Sequence, residues 1–110
     1  MRSYADKAYR IDLNKIKLSS ANSEKHNLRV CEICCSLIKN NIPFITEFRT
    51  NFGLRFDVCT PIHSVNFIEV LHTEEIKDFN KKKYHKLPGQ LKSSFLLNDT
   101  SIPFQERDIL

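Results

Sequence analysis

Hydrophobic and polar residues alternate in three successive stretches, Pro43–Thr50, Leu54–Thr60 and Asn66–Thr73, and this period of two predicts three β-strands. Residues two apart on a strand share a face. Phe44, Thr46 and Phe48 then go together, as do Leu54, Phe56 and Val58, and Ile68 and Val70, which gives each strand an apolar side. The opposite sides carry Glu47 and Arg49, Arg55 and Asp57, and Glu69. With a hairpin at Asn51-Phe52-Gly53 and a looser connection through Pro61, the strands form a meander on which these charges meet on one surface.

Before the strands the period is helical. Ser23 is a capping residue, and Leu28, Cys31, Cys34/Cys35 and Leu37/Ile38 recur at helical spacing up to Asn40-Asn41 and Pro43. The prediction is an amphipathic helix lying on the apolar side of the sheet, with Glu24, His26 and Glu32 left for its polar side. After the third strand, Glu74–Lys86 begins acidic and ends basic, as a helix dipole prefers, with Ile76, Phe79 and Tyr84 as its apolar contacts and Leu87-Pro88-Gly89 as its stop. Alternation at Leu91, Ser93, Phe95 and Leu97 favours a fourth strand over a short helix.

The element order is therefore α-β-β-β-α-β, an α/β domain with a core over residues 23–97. Residues 1–22 form an N-terminal arm that fits neither period; a short strand pair, an irregular helix or a basic arm all remain open. Residues 98–110 read as a C-terminal tail that docks on its own domain or on a second subunit.

At 110 residues the chain holds one domain with a modest core. A net charge of +4 permits contact with nucleic acid without requiring it. No apolar run approaches the roughly 20 residues that span a bilayer, and the N-terminus has no apolar signal core. The expectation is a protein that avoids membranes and works in the cytoplasm, or in a host cytoplasm if it is viral.

Two groupings carry candidate chemistry. Glu47, Asp57 and Glu69, one carboxylate on each of three successive strands with Arg49 and Arg55 beside them, make an oxygen donor set for a divalent cation acting on phosphates. A solvated sheet face also accounts for them. Cys31-x-x-Cys34 and Cys59-x-x-x-His63 imitate a zinc spacing, but the first pair falls on a helix rather than in a tight knuckle, so buried free thiols are the better reading. Lys81, Lys82, Lys83, His85 and Lys86 are the most basic stretch and suit a phosphate backbone, as they equally suit an exposed helix end.

Over residues 23–97 the order of elements, with His26 near the start of the first helix, Glu47, Arg55-Phe56-Asp57-Val58 and Ile68-Glu69-Val70, resembles the PD-(D/E)xK nuclease superfamily and within it the small nucleases and nuclease-like competence proteins. The resemblance implies a single restriction-endonuclease-like domain with a central mixed sheet. It also implies Mg2+ or Mn2+ at Asp57, Glu69 and the Val70 carbonyl, and hydrolysis of DNA as a homodimer. The superfamily lysine two positions after the glutamate is Leu71 here, and leucine neither orients water nor stabilises phosphate charge. Lys77, Glu74 and Glu47 are the candidates to replace it, and Lys77 stands first beside Glu47, Asp57 and Glu69 as catalytic. His26, Arg49, Arg55, Lys81, Lys82 and Lys83 would contact nucleic acid. The alternatives are an inactive nucleic-acid-binding or assembly module of the same fold, and a zinc-stabilised module through Cys31, Cys34, Cys59 and His63.

Overall fold

Ser23 opens the longest element, and its hydroxyl accepts the backbone N–H of His26 at 3.1 Å. In the computed structural model, which describes residues 13–49, 53–61, 66–71 and 95–109, helix α1 then runs Glu24–Lys39. Glu24 in its first turn and Lys39 in its last agree with the macrodipole. It closes as asparagines allow: Asn41 takes a left-handed φ of 57°, and the N–H of Ile42 returns to the carbonyl of Leu37 at 2.9 Å.

The strands are β1 (Ile45–Arg49), β2 (Arg55–Thr60), β3 (Asn66–Leu71) and β4 (Phe95–Asp99), lying in that order in one sheet. The first three form the antiparallel meander expected from alternation, and β4 lies parallel to β3, so the sheet is mixed. Gly53, at φ 86° in the connection from β1 to β2, holds a conformation that side chains rarely adopt. The predicted helix Glu74–Lys86 falls outside the described residues.

The helix packs on the sheet through Val30, Ile33, Cys34 and Leu37, which meet Phe44, Val58, Ile68 and Val70. This corrects the predicted phase. Leu28 and Ile38, expected on the sheet side, are 56% and 51% exposed, Cys31 is half-buried and Cys35 is exposed. His26, assigned to the polar side, instead faces the sheet and reaches Asp57.

The predicted strand faces also need correcting. Phe67 alternates with Ile68 and so lies on the face away from α1, yet the Phe56 ring stacks on it at 4.6 Å and the Phe48 ring lies 6.3 Å from it. Phe56 therefore does not share a face with Val58, nor Phe48 with Phe44. The alternation slips at one level of the sheet: Glu47 has a left-handed φ of 50°, and the register brackets it opposite Asp57 between the pairs Thr46–Val58 and Phe48–Phe56.

The described parts of both segments flanking the predicted core pack against it. Asn14 exchanges hydrogen bonds with Phe44, and Thr46 Oγ1 donates to the Lys15 carbonyl and accepts from Lys17 N–H. At the other end Ile109 is buried in the helix-side core, and the tail docks on its own domain. Arg29, 7% exposed, clamps it. Its guanidinium donates to Asn98 Oδ1, the Asp99 carbonyl and the Ile102 carbonyl, and lies over the Phe104 ring. Glu106, in a 3-10 turn spanning Glu106–Asp108, accepts from Ser36 and Asn40 and pairs with Lys39. Among the described residues no helix is long and apolar enough to cross a membrane.

Candidate functional site

The β2–β3 ladder stops at Val58–Ile68, one rung short of Asp57 and Glu69. There the backbone N–H of Val70 donates to Asp57 Oδ2 at 2.8 Å. Asp57 Oδ1 faces His26 Nε2 at 3.2 Å, from the first turn of α1. Glu69, buried on β3, lines the same cleft as Asp57 and His26. The three side chains thus meet at the point where the strands separate, rather than on the sheet face that alternation alone implied.

Burial works against charge on Asp57, but the hydrogen bonds from His26, Glu69 and Val70, with the charge of His26, prevail and hold its carboxyl below the ordinary range. His26 moves the other way: its bond to Asp57 raises it, burial opposes this, and the charges of Asp57 and Glu69 add to the rise. The two shifts describe one ion pair.

The group opens to solvent through a cleft of about 190 Å³ lined by Asn22, His26, Arg55, Asp57, Glu69, Val70 and Leu71. Leu71, two positions after Glu69 on β3, shares its strand side and also lines the cleft. Arg55 pairs across the ladder with Arg49, which places two cations on one rung beside the cleft, an arrangement that is unfavourable unless anions are near. Glu47 sits opposite Asp57 in register but is not among the lining residues. Lys77, Lys81, Lys82 and Lys83 lie outside the described residues, as do Glu74, His63, His85 and Lys86. Asn22 was not singled out from the sequence; its one signal was its place immediately before the cap of α1.

Among the described residues no group of three or more His, Cys, Asp and Glu side chains is placed to hold a metal ion. The two carboxyl side chains in the cleft, Asp57 and Glu69, match in number the one or two carboxylates that commonly hold magnesium, which water and phosphate complete. All four cysteines are free thiols, and burial pushes Cys34 and Cys59 up to about 12. No protein-family model, curated protein or solved structure matches the chain.

Proposed function

We propose that the protein is a divalent-metal-dependent DNA endonuclease of the restriction-endonuclease-like fold, with its site in the cleft at the β2–β3 opening. The observation that carries this reading is the convergence of His26, Asp57 and Glu69 in an open cleft walled by Arg55. Asp57, Glu69 and the Val70 carbonyl would hold Mg2+ or Mn2+, which would supply charge neutralisation on the phosphate and a more acidic water. His26 would fix the Asp57 carboxylate in orientation, sharing its two oxygens with the Val70 N–H. Arg55 and Arg49 would grip the phosphate ester, and Asn22 would add a neutral donor at the mouth. So small a domain covers little DNA, and a two-fold dimer would let it engage both strands.

Leu71 favours a second reading, a nucleic-acid-binding module of the same fold that does not cleave. It occupies the cleft wall where the superfamily places its lysine. Conversion of supercoiled plasmid in manganese against EDTA separates the two. Cleavage that is lost in Glu69→Gln and increased by Leu71→Lys supports the nuclease. DNA binding without cleavage in both the wild type and Leu71→Lys supports the module.

A further inference from the structure

The four free cysteines do not share one environment. Cys34, on the sheet side of α1, and Cys59, in β2, are fully buried, and burial pushes both thiols up to about 12, so neither gives up its proton near neutral pH. Cys35 is exposed and Cys31 half-buried, and these two lie four residues apart on the same helix. The zinc spacing in the sequence pairs Cys31 with Cys34. The fold turns Cys34 inward and gives Cys31 a different neighbour on the outer side.

Residues four apart on a helix stand one above the other, with Cβ atoms about 5–6 Å apart. That separation exceeds the roughly 3.5–4.5 Å that a disulfide spans, so the pair does not close on itself while α1 keeps its geometry. It does suit an ion held between the two sulfurs. At the length of a zinc–thiolate bond, about 2.3 Å, a linear arrangement needs a sulfur–sulfur span of about 4.6 Å.

The number of donors selects the ion. Among the described residues no third His, Cys, Asp or Glu joins the pair in a metal-holding group, and Glu32, beside Cys31 in sequence, is paired with Arg29. Zinc takes four ligands and the hard cations take six or more oxygens, so two sulfurs serve both poorly. Soft thiolates select Cu(I), a closed-shell ion content with two ligands in line. Leu28 and Ile38 stand three residues before and three after the pair and set aliphatic surface at both ends of it.

We propose that Cys31 and Cys35 form a two-thiolate site for a single Cu(I) ion on the outer side of α1. Binding exchanges both thiol protons for the ion, leaving a bis-thiolate complex of charge −1 and releasing two protons to solvent, with no change of oxidation state. The site uses no residue of the cleft and does not depend on cleavage.

Anaerobic titration of the reduced full chain with Cu(I), supplied as its acetonitrile complex, follows the thiolate-to-copper charge-transfer absorption in the ultraviolet. The expected result is saturation at one ion per chain, a two-sulfur shell in X-ray absorption, and protection of Cys31 and Cys35 from maleimide in peptide mass spectrometry. Cys31→Ser and Cys35→Ser should each lower the affinity, read by competition with a Cu(I) chelator, by about 100-fold or more, because a chelating pair becomes a single donor. Cys35 is exposed, so that variant should keep the circular dichroism of the wild type. Zn2+ at the same concentration should leave both thiols open to maleimide. Absorption that survives Cys35→Ser, a three-sulfur shell, one ion shared between two chains, or equal protection by Zn2+ overturns the proposal, as does a wild type that shows no absorption at one equivalent.

Discussion

Replacing Asp57 by asparagine sets two electrostatic effects against each other, and the structure decides which prevails. Two like unit charges at about 4 Å repel by about 4 kcal/mol at an effective dielectric of 20, and Glu69 lies in the same cleft, so neutralising Asp57 could be expected to stabilise the protein. The Asp57 carboxyl is nonetheless held below its ordinary range, so its contacts to His26 and the Val70 N–H outweigh that repulsion. What the substitution removes is a charge-assisted bond to His26, of about 1.5–3 kcal/mol. Asparagine keeps an oxygen for the Val70 N–H but can turn its amide toward the His26 N–H, donor against donor. We expect Asp57→Asn to lose about 2 kcal/mol, or roughly 6–12 °C in Tm for a domain of this size.

The loss depends on pH with a defined sign. His26, raised above its ordinary 6.5, contributes fully below 6.5, and its share is lost as pH rises through the folded value. Asp57, lowered from 3.8, contributes above 3.8, and its share is lost as pH falls through the folded value. Both contributions are present between 3.8 and 6.5. Thermal melts in EDTA, followed by circular dichroism, should therefore show a larger gap between wild type and Asp57→Asn near pH 5.5 than near pH 9. An unchanged or higher Tm for the mutant at the lower pH would refute the argument, as would a gap that does not narrow with rising pH.

Arg29→Ala should cost about 3 kcal/mol or more, because it leaves Asn98 and the Asp99 and Ile102 carbonyls without their donor; limited proteolysis should then cut within residues 100–109 before it cuts the sheet. Arg29→Lys should not restore resistance, since an ammonium cannot reproduce the planar fork. Cys35 should react first with maleimide at neutral pH, read by peptide mass spectrometry, while Cys34 and Cys59 stay unmodified until the chain unfolds; early labelling of Cys34 would contradict the packing of α1. Glu47→Gly should raise stability by about 0.5–1 kcal/mol in urea titration, because glycine relieves the left-handed φ; a fall would mean that the Glu47 side chain contributes more than its backbone strain costs.

The strands were legible because β1, β2 and β3 each alternate, and a meander of short strands leaves few registers. Alternation could not reveal the slip at Glu47 and Asp57. It comes from a backbone conformation at Glu47 that side-chain type does not announce, and it carries Phe48 and Phe56 to the far face. The phase of α1 was harder still. Leu28, Cys31, Cys35 and Ile38 make as good an apolar line as Val30, Ile33, Cys34 and Leu37, so hydrophobicity alone does not say which line meets the sheet. That ambiguity also hid the central contact of the site. The nearness of Asp57 and Glu69 followed from their places on neighbouring strands, but the His26 bond to Asp57 follows only when α1 is turned to its true phase. Arg29 gave no signal, because a buried arginine is recognised by its partners and these lie far along the chain.

That distance bears on how the protein is made. The three acceptors of Arg29 come 69, 70 and 73 residues after it. At about 5–20 residues per second of synthesis, some 4–14 s separate the emergence of the cation from that of the groups that neutralise its burial. Throughout that interval the guanidinium has Glu32, 3.5 Å away on the same helix, but not the three oxygens that take its other N–H groups, and seating α1 on the nascent sheet would leave those donors unmet at a cost of about 1–3 kcal/mol each. We expect the helix to commit to the sheet only once the fourth strand has arrived, so a nascent chain arrested after β3 should leave α1 open to hydrogen exchange, and protection of α1 at that length would refute the expectation.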